Sequence, residues 1–153
     1  MGRFYEQFET GQRFETPRRT VTEADIVAFA GLTADFNPLH VDEVFASATD
    51  FGGRIAHGPM VIGMAFGFAS RIGLFDGTAL GLLTAEWEFH KPVRAGDTLC
   101  ADVTVVEKRL TKKTDRGVIE LRFEIRNQSG TVVQTGTAKI LVRRSGLEDA
   151  TSH

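Results

Sequence analysis

The hydrophobic period of this chain changes half-way along. From residue 84 onward apolar and polar positions alternate: Ala85, Trp87 and Phe89 against Thr84, Glu86 and Glu88, then Leu99, Ala101, Val103 and Val105 against Cys100, Asp102 and Thr104. The pattern returns in Ile119, Leu121, Phe123 and Ile125 against Glu120, Arg122, Glu124 and Arg126. A period of two sends successive side chains to opposite faces, so each run predicts a half-buried strand. Ser129-Gly130 predicts a turn into a last strand over residues 132–142, and the charged residues 108–116 predict an exposed hairpin. Strands with one solvated face belong to an antiparallel sheet.

The first half follows a helical period. Residues 14–21 suit a strand and lead into Thr22-Glu23-Ala24-Asp25, where the hydroxyl and the later carboxylate can satisfy orphan N–H groups in a near capping box. Ile26, Phe29 and Ala30 then recur at helical spacing, with Gly31 as the expected place for that helix to weaken. Asp42 is expected to cap a short helix through Ala48, with Val44, Phe45 and Ala48 available for burial. Residues 58–75 are almost wholly apolar and contain Gly63 and Gly67, although glycine costs about 1 kcal/mol against alanine inside a helix. Glycines four apart predict a smooth stripe on which a sheet can lie. A helix apolar nearly all round must be covered, so the sheet is expected to wrap it, giving an α+β fold with a long central helix. One such unit leaves sheet edges and part of the helix uncovered, which predicts a homodimer or a larger even-numbered assembly.

Composition narrows this picture. At 153 residues and 42% hydrophobic content, one domain (residues 1–153) with one core is expected, residues 143–153 forming a frayed tail. A formal net charge of −2 gives no broad attraction to nucleic acid or an anionic membrane. The longest charge-free apolar run, residues 59–70, is too short to span a bilayer. The N-terminal residues lack the apolar run of a signal peptide, so the expected location is the cytoplasm. The single Cys100 excludes an intrachain disulfide and suits a small packing role.

Chemistry concentrates in residues 35–58, DFNPLHVDEVFASATDFGGRIAHG. Asp35 and His40, two groups able to exchange protons, flank Asn37-Pro38, a pair that bends the chain and lets them converge. Asn37 is expected to hold this loop and His57 to orient the following turn. Gly58 opens the central helix, where unpaired N–H groups and the helix dipole favour developing negative charge, and Pro59 fits the first turn because its missing N–H is not needed there. His90 and His153 lie on distant elements without metal-ligand spacing, so neither a metal nor another cofactor is expected. Lys108, Arg109, Lys112, Lys113 and Arg116 could meet phosphates of a nucleotide-bearing carrier, but a charge-rich hairpin is usually solvated.

The run Asp35-Phe36-Asn37-Pro38-Leu39-His40, followed by Phe51-Gly52-Gly53 and Ala56-His57-Gly58, resembles the signature of the MaoC-like dehydratases and (R)-specific enoyl-CoA hydratases of the hotdog superfamily. Residues 89–97, FHKPVRAGD, are similar to a strand junction found widely in hotdog proteins and support only the fold. The resemblance implies a hydro-lyase acting on a 2-enoyl or (3R)-hydroxyacyl thioester of CoA or acyl carrier protein. Asp35 and His40 would share a water and divide the acid and base roles, while Gly58 would receive the thioester oxygen. Many relatives carry a serine about two turns into the central helix where this chain has Phe66, which implies a different acyl pocket. Two rivals remain: a hotdog thioesterase, which would want a carboxylate on the central helix that residues 58–75 do not supply, and a non-catalytic subunit, which would need neither Asp35 nor His40.

Overall fold

A computed structural model describes residues 1–146. Its strands are β1 (Arg13–Glu15), β2 (Arg19–Thr20), β3 (Ala79–Phe89), β4 (Thr98–Leu110), β5 (Arg116–Arg126) and β6 (Val132–Arg143). The sheet order is β1-β4-β5-β6-β3 with β2 also on β4, and every pairing is antiparallel. The helices are α1 (Glu23–Thr33), α2 (Pro38–Val41), α3 (Glu43–Ser47) and α4 (Gly58–Arg71). The sheet wraps α4, giving the hotdog arrangement that the change of period predicts.

The alternation of β4 and β5 is realised as burial. Leu99, Ala101, Val103 and Val105, with Ile119, Leu121, Phe123 and Ile125, join Met60, Val61, Ala65, Phe68 and Ala69 of α4 in one apolar cluster. At about 25 cal/mol per Å² of apolar surface removed from water, this contact is the main stabilising term. Thr22 caps α1 with both halves of the box formed: Asp25 N–H donates to Thr22 Oγ1 at 3.2 Å, and Thr22 N–H donates to Asp25 Oδ2 at 2.8 Å.

Several local expectations fail. The first helix runs past Gly31 to Thr33 and stops at Ala34, which takes a left-handed φ of 60°. Asp42 caps α3 as expected, but Ala46 is its buried residue; Val44 is 85% exposed, and Phe45 and Ala48 also face outward. Gly63 and Gly67 face away from the sheet, with open space where a Cβ would stand. The sheet meets the opposite side of α4, carrying Val61, Ala65 and Phe68, so the glycines serve no close approach within this chain. In β3 the alternation does not become burial either. Because α4 packs chiefly over β4, the outlying edge strand overhangs, leaving Ala85 and Phe89 exposed and Trp87 half-covered. Residues 108–116 are only partly a hairpin: Lys108 belongs to β4, and its ammonium donates to the carbonyls of Tyr5 and Phe8 and lies over the Tyr5 ring, which removes it from any phosphate site. The expected tail begins too early, because Arg143 ends β6 and Arg144 pairs with Glu6 at 2.7 Å; residues 147–153 lie outside the described residues. Among the described residues no helix is long and apolar enough to cross a membrane.

Candidate active site

Local hydrogen bonding shapes the loop after α1. Thr33 Oγ1 donates to the Phe29 carbonyl at 2.7 Å and receives Asp35 N–H at 3.3 Å, which turns the chain at the helix end. Asp35 Oδ1 accepts Asn37 N–H at 3.2 Å, and Asn37 Oδ1 accepts Leu39 N–H at 3.0 Å. Asn37 is thus the cap of α2, with Pro38 at its first position. One turn on, His40 faces back, and its Nε2 lies 3.9 Å from Asp35 Oδ2. That gap is too long for a direct hydrogen bond. The bend therefore brings the two groups together without joining them.

The tautomer of neutral His40 follows from its other nitrogen. Nδ1 sits 2.8 Å from the Ile55 carbonyl, and a carbonyl only accepts, so Nδ1 carries the proton and the Nε2 lone pair faces Asp35. Ile55 is itself fixed, donating its N–H to the Leu39 carbonyl at 3.1 Å, and Ala56 N–H donates to the Val93 carbonyl at 2.7 Å. This ties Ile55 to α2 and Ala56 to the connection between β3 and β4.

His57 is buried, only 1% exposed, and links both halves of the site. Its Nε2–H donates to the Asp35 carbonyl at 2.9 Å, while its ring stacks on His40 at 3.7 Å and meets Phe29 at 4.9 Å. Its Nδ1 is buried without a hydrogen-bond partner. It is the residue before α4, but its side chain makes no cap hydrogen bond to that helix and bonds the Asp35 loop instead. Asp35, His40 and His57 offer nitrogen and oxygen atoms within 4.8 Å of one another, a set from which a metal shell could be drawn. His40 Nδ1 and His57 Nε2 are already engaged by the carbonyls of Ile55 and Asp35, which leaves His40 Nε2, His57 Nδ1 and the Asp35 carboxylate as the atoms such a shell could use.

Gly58 follows at the start of α4, where its N–H has no intrahelical acceptor. The ring of Phe89 covers it so closely that a Cβ on residue 58 would stand 2.7 Å from Phe89 Cε1, so a side chain there would push the ring aside. Two clefts lie close by. One, of about 400 Å³, is lined by His40, Ile26, Val27 and the charged Glu23, Glu43, Arg54 and Arg94. The other, of about 360 Å³, is more apolar and is lined by Gly58, Ile55, Phe89, Pro92, Val93 and Gln134. Phe51 borders both. Phe66 sits deeper on α4 against Trp87 and Phe123, at 6.0 and 5.2 Å.

Sequence reasoning missed two contributors. Arg94 donates to the carbonyls of Phe51, Gly53 and Arg54, clamping the loop that leads to His57. Arg54 pairs with Glu23 at 2.5 Å and Glu43 at 2.7 Å, and its hydrogen bonds hold the Glu43 carboxyl below the usual carboxylate range. Arg94 stood inside the strand-junction pattern, but nothing in that pattern says that its side chain reaches back some forty residues.

Fold and site together define a hotdog protein with an Asp/His pair beside the N-terminus of its central helix. The MaoC like domain matches residues 6–124, and the chain belongs to that family. It is 34% identical over 150 residues to the (R)-specific enoyl-CoA hydratase of Rhodospirillum rubrum, with 94% of each chain covered. It is 36% identical over 123 residues to Protein MaoC of Klebsiella aerogenes; this covers 77% of the chain but spans only about a third (34%) of that longer protein. The crystal structure of the MaoC-like dehydratase from Rhodospirillum rubrum superimposes with a TM-score of 0.82 at 34% identity, covering 95% of this chain and 100% of the other.

Proposed function

We propose that this protein is a hydro-lyase that adds water to a trans-2-enoyl thioester of CoA, or removes it from the (3R)-hydroxyacyl thioester. The observation that carries the reading is the 3.9 Å gap between Asp35 Oδ2 and His40 Nε2, two acceptors facing each other and both in contact with His57, the residue before Gly58, whose N–H has no intrahelical acceptor. A water in that gap donates one hydrogen to each and turns its lone pair outward to the substrate. The thioester oxygen rests on the Gly58 N–H, which draws electron density from the double bond and makes C3 electrophilic. As the water oxygen bonds to C3, its proton passes to His40 Nε2, and charge moves through C2 onto the thioester oxygen. The resulting imidazolium keeps its Nδ1–H on the Ile55 carbonyl, and its charge faces the Asp35 carboxylate 3.9 Å away. His40 then returns the proton to C2, and the carbonyl reforms. Dehydration is the reverse. The (3R) outcome is supported by the relatives' names.

The chain acts as one domain and pairs through β3, whose outer edge has no strand beside it among the described residues and exposes Leu82, Leu83 and Phe89. The side of α4 with Gly63 and Gly67 is also uncovered, and a two-fold copy could cover it as well. The expected location is the cytoplasm, and acyl carrier protein is the alternative thioester carrier.

Incubating the purified protein with a short trans-2-enoyl-CoA tests the chemistry. Loss of the conjugated enoyl absorbance with CoA still attached, and a (3R)-3-hydroxyacyl product on chiral analysis, is the expected result. Free thiol released at the rate of substrate loss would instead mark a thioesterase, and silence with both CoA and carrier-protein substrates would mark a non-catalytic subunit.

A further inference from the structure

The structure assigns to Gln134 a positioning role: through a buried hydrogen-bonded relay from Trp87, its carboxamide fixes the Gly58 backbone and so aims the N–H that receives the thioester oxygen. This rests on the reading of Gly58 as the oxyanion donor. Gln134 lies on β6 and is 2% exposed, one of few buried polar side chains in an apolar core. Its Oε1 accepts the Trp87 indole Nε1–H at 2.9 Å, and its Nε2–H donates to the Gly58 carbonyl at 3.2 Å. An indole N–H can only donate, so the atom facing it must be the amide oxygen, and the NH₂ end is left pointing at Gly58. Trp87 therefore decides which way the amide lies.

Trp87 is itself held. It pairs with Gly136 across β3 and β6, and its ring lies flat where a Cβ on residue 136 would overlap it. Phe66 and Phe123 close the other sides at 6.0 and 5.5 Å. The relay ends at the residue that most needs it. Glycine has the softest backbone in the chain, and at a helix start its N–H is not held by the helical ladder. Upstream, the Ala56 to Val93 hydrogen bond and the packed His57 ring fix the chain before Gly58; downstream, the contact to Gln134 fixes its carbonyl. Pinned on both sides, the N–H has one direction. A carbonyl has two lone pairs, so Gly58 can accept from Gln134 and still begin the helix.

The test combines carbonyl polarisation with kinetics. Butyryl-CoA carrying a ¹³C-labelled carbonyl is saturated and cannot be hydrated, so difference infrared spectra of its complex with the wild-type protein should show the carbonyl stretch moved to lower wavenumber. Gln134→Leu should lose most of that shift and lower kcat by about tenfold or more with KM little changed, within the roughly 10²–10³ limit for removing an oxyanion donor outright. Gln134→Glu supplies a second arm. A neutral carboxyl can still accept from Trp87 and donate to Gly58, whereas the ionised form can only accept; its kcat relative to wild type should therefore recover as pH falls. Trp87→Phe keeps the ring on Gly136 but frees the amide to rotate, and should reduce the infrared shift in the same sense. If Gln134→Leu does not fold, the other two variants decide. A wild-type shift retained in the variants, with a pH-independent rate ratio for Gln134→Glu, overturns the role of Gln134 alone. No shift in the wild type overturns the oxyanion reading and this role with it.

Discussion

Replacing Asp35 by asparagine separates two ways in which this carboxylate could act. The side chain is 51% exposed, and its Oδ1 accepts Asn37 N–H, a bond the amide oxygen of asparagine keeps. The loop therefore stays folded, with a stability change within about 0.5 kcal/mol. At 2–4 °C of melting temperature per kcal/mol for a chain of about this size, the melting curve moves by roughly 2 °C or less. What changes is the second atom, which becomes an NH₂ donor facing the His40 Nε2 lone pair and the water between them. If Asp35 acted only through its charge on the His40 imidazolium 3.9 Å away, Coulomb's law in a water-like dielectric gives about 1 kcal/mol, a factor of roughly five. Half-exposed groups lie near that limit. If it also orients the water for proton transfer, the loss is about 10² or more. The assay is kcat for enoyl-CoA hydration beside a melting curve on the same preparation. A fall of about fivefold would refute the shared-water geometry, and unchanged turnover would remove Asp35 from the mechanism.

Phe66→Ala should open space beside Trp87 and favour longer substrates. Two added methylenes at about 0.8 kcal/mol each correspond to about 15-fold in kcat/KM, and an unchanged chain-length profile from four to eight carbons would show that Phe66 does not border the acyl chain. Leu83→Arg on the β3 edge should convert a dimer to monomer in sedimentation velocity; a wild-type monomer at micromolar concentration would contradict the proposed pairing. Glu6 gives a pH test. Partial burial works against its charge, but the Ser145 N–H and hydroxyl and the Arg144 guanidinium hold its carboxyl at about 2, down from 4.5. A lowered folded pKa gives stability that is present above 4.5 and lost as pH falls toward 2. Glu6→Gln should therefore flatten the fall in melting temperature across that window, and an identical slope in wild type and variant would count against the anchor.

Much of the architecture was legible because it depends on period. Alternation in β4 and β5 and the apolar run of α4 are each set by local sequence, and a sheet with one apolar face has few ways to cover such a helix. The capping box at Thr22 and the Asn37-Pro38 bend were legible for the same reason: their hydrogen bonds lie within three residues. The order β1-β4-β5-β6-β3 was not, since edge and centre are distinguished by neighbours far along the chain. That is why β3 carries an alternating pattern yet stays exposed, and why Gly63 and Gly67 proved to lie on the open side of their helix.

The site divides along the same line. Sequence alone placed two groups able to exchange protons on either side of a turn, because Asp35, Asn37, Pro38 and His40 lie within six residues of one another. Only the tertiary structure decided what those groups can do. The tautomer of His40 is set by a carbonyl fifteen residues away, the loop is clamped by Arg94, and the Gly58 carbonyl is held by Gln134 seventy-six residues on. A hydrogen bond depends on a distance in space and a direction at each atom, and neither is encoded in the spacing of residues along a chain that has yet to fold.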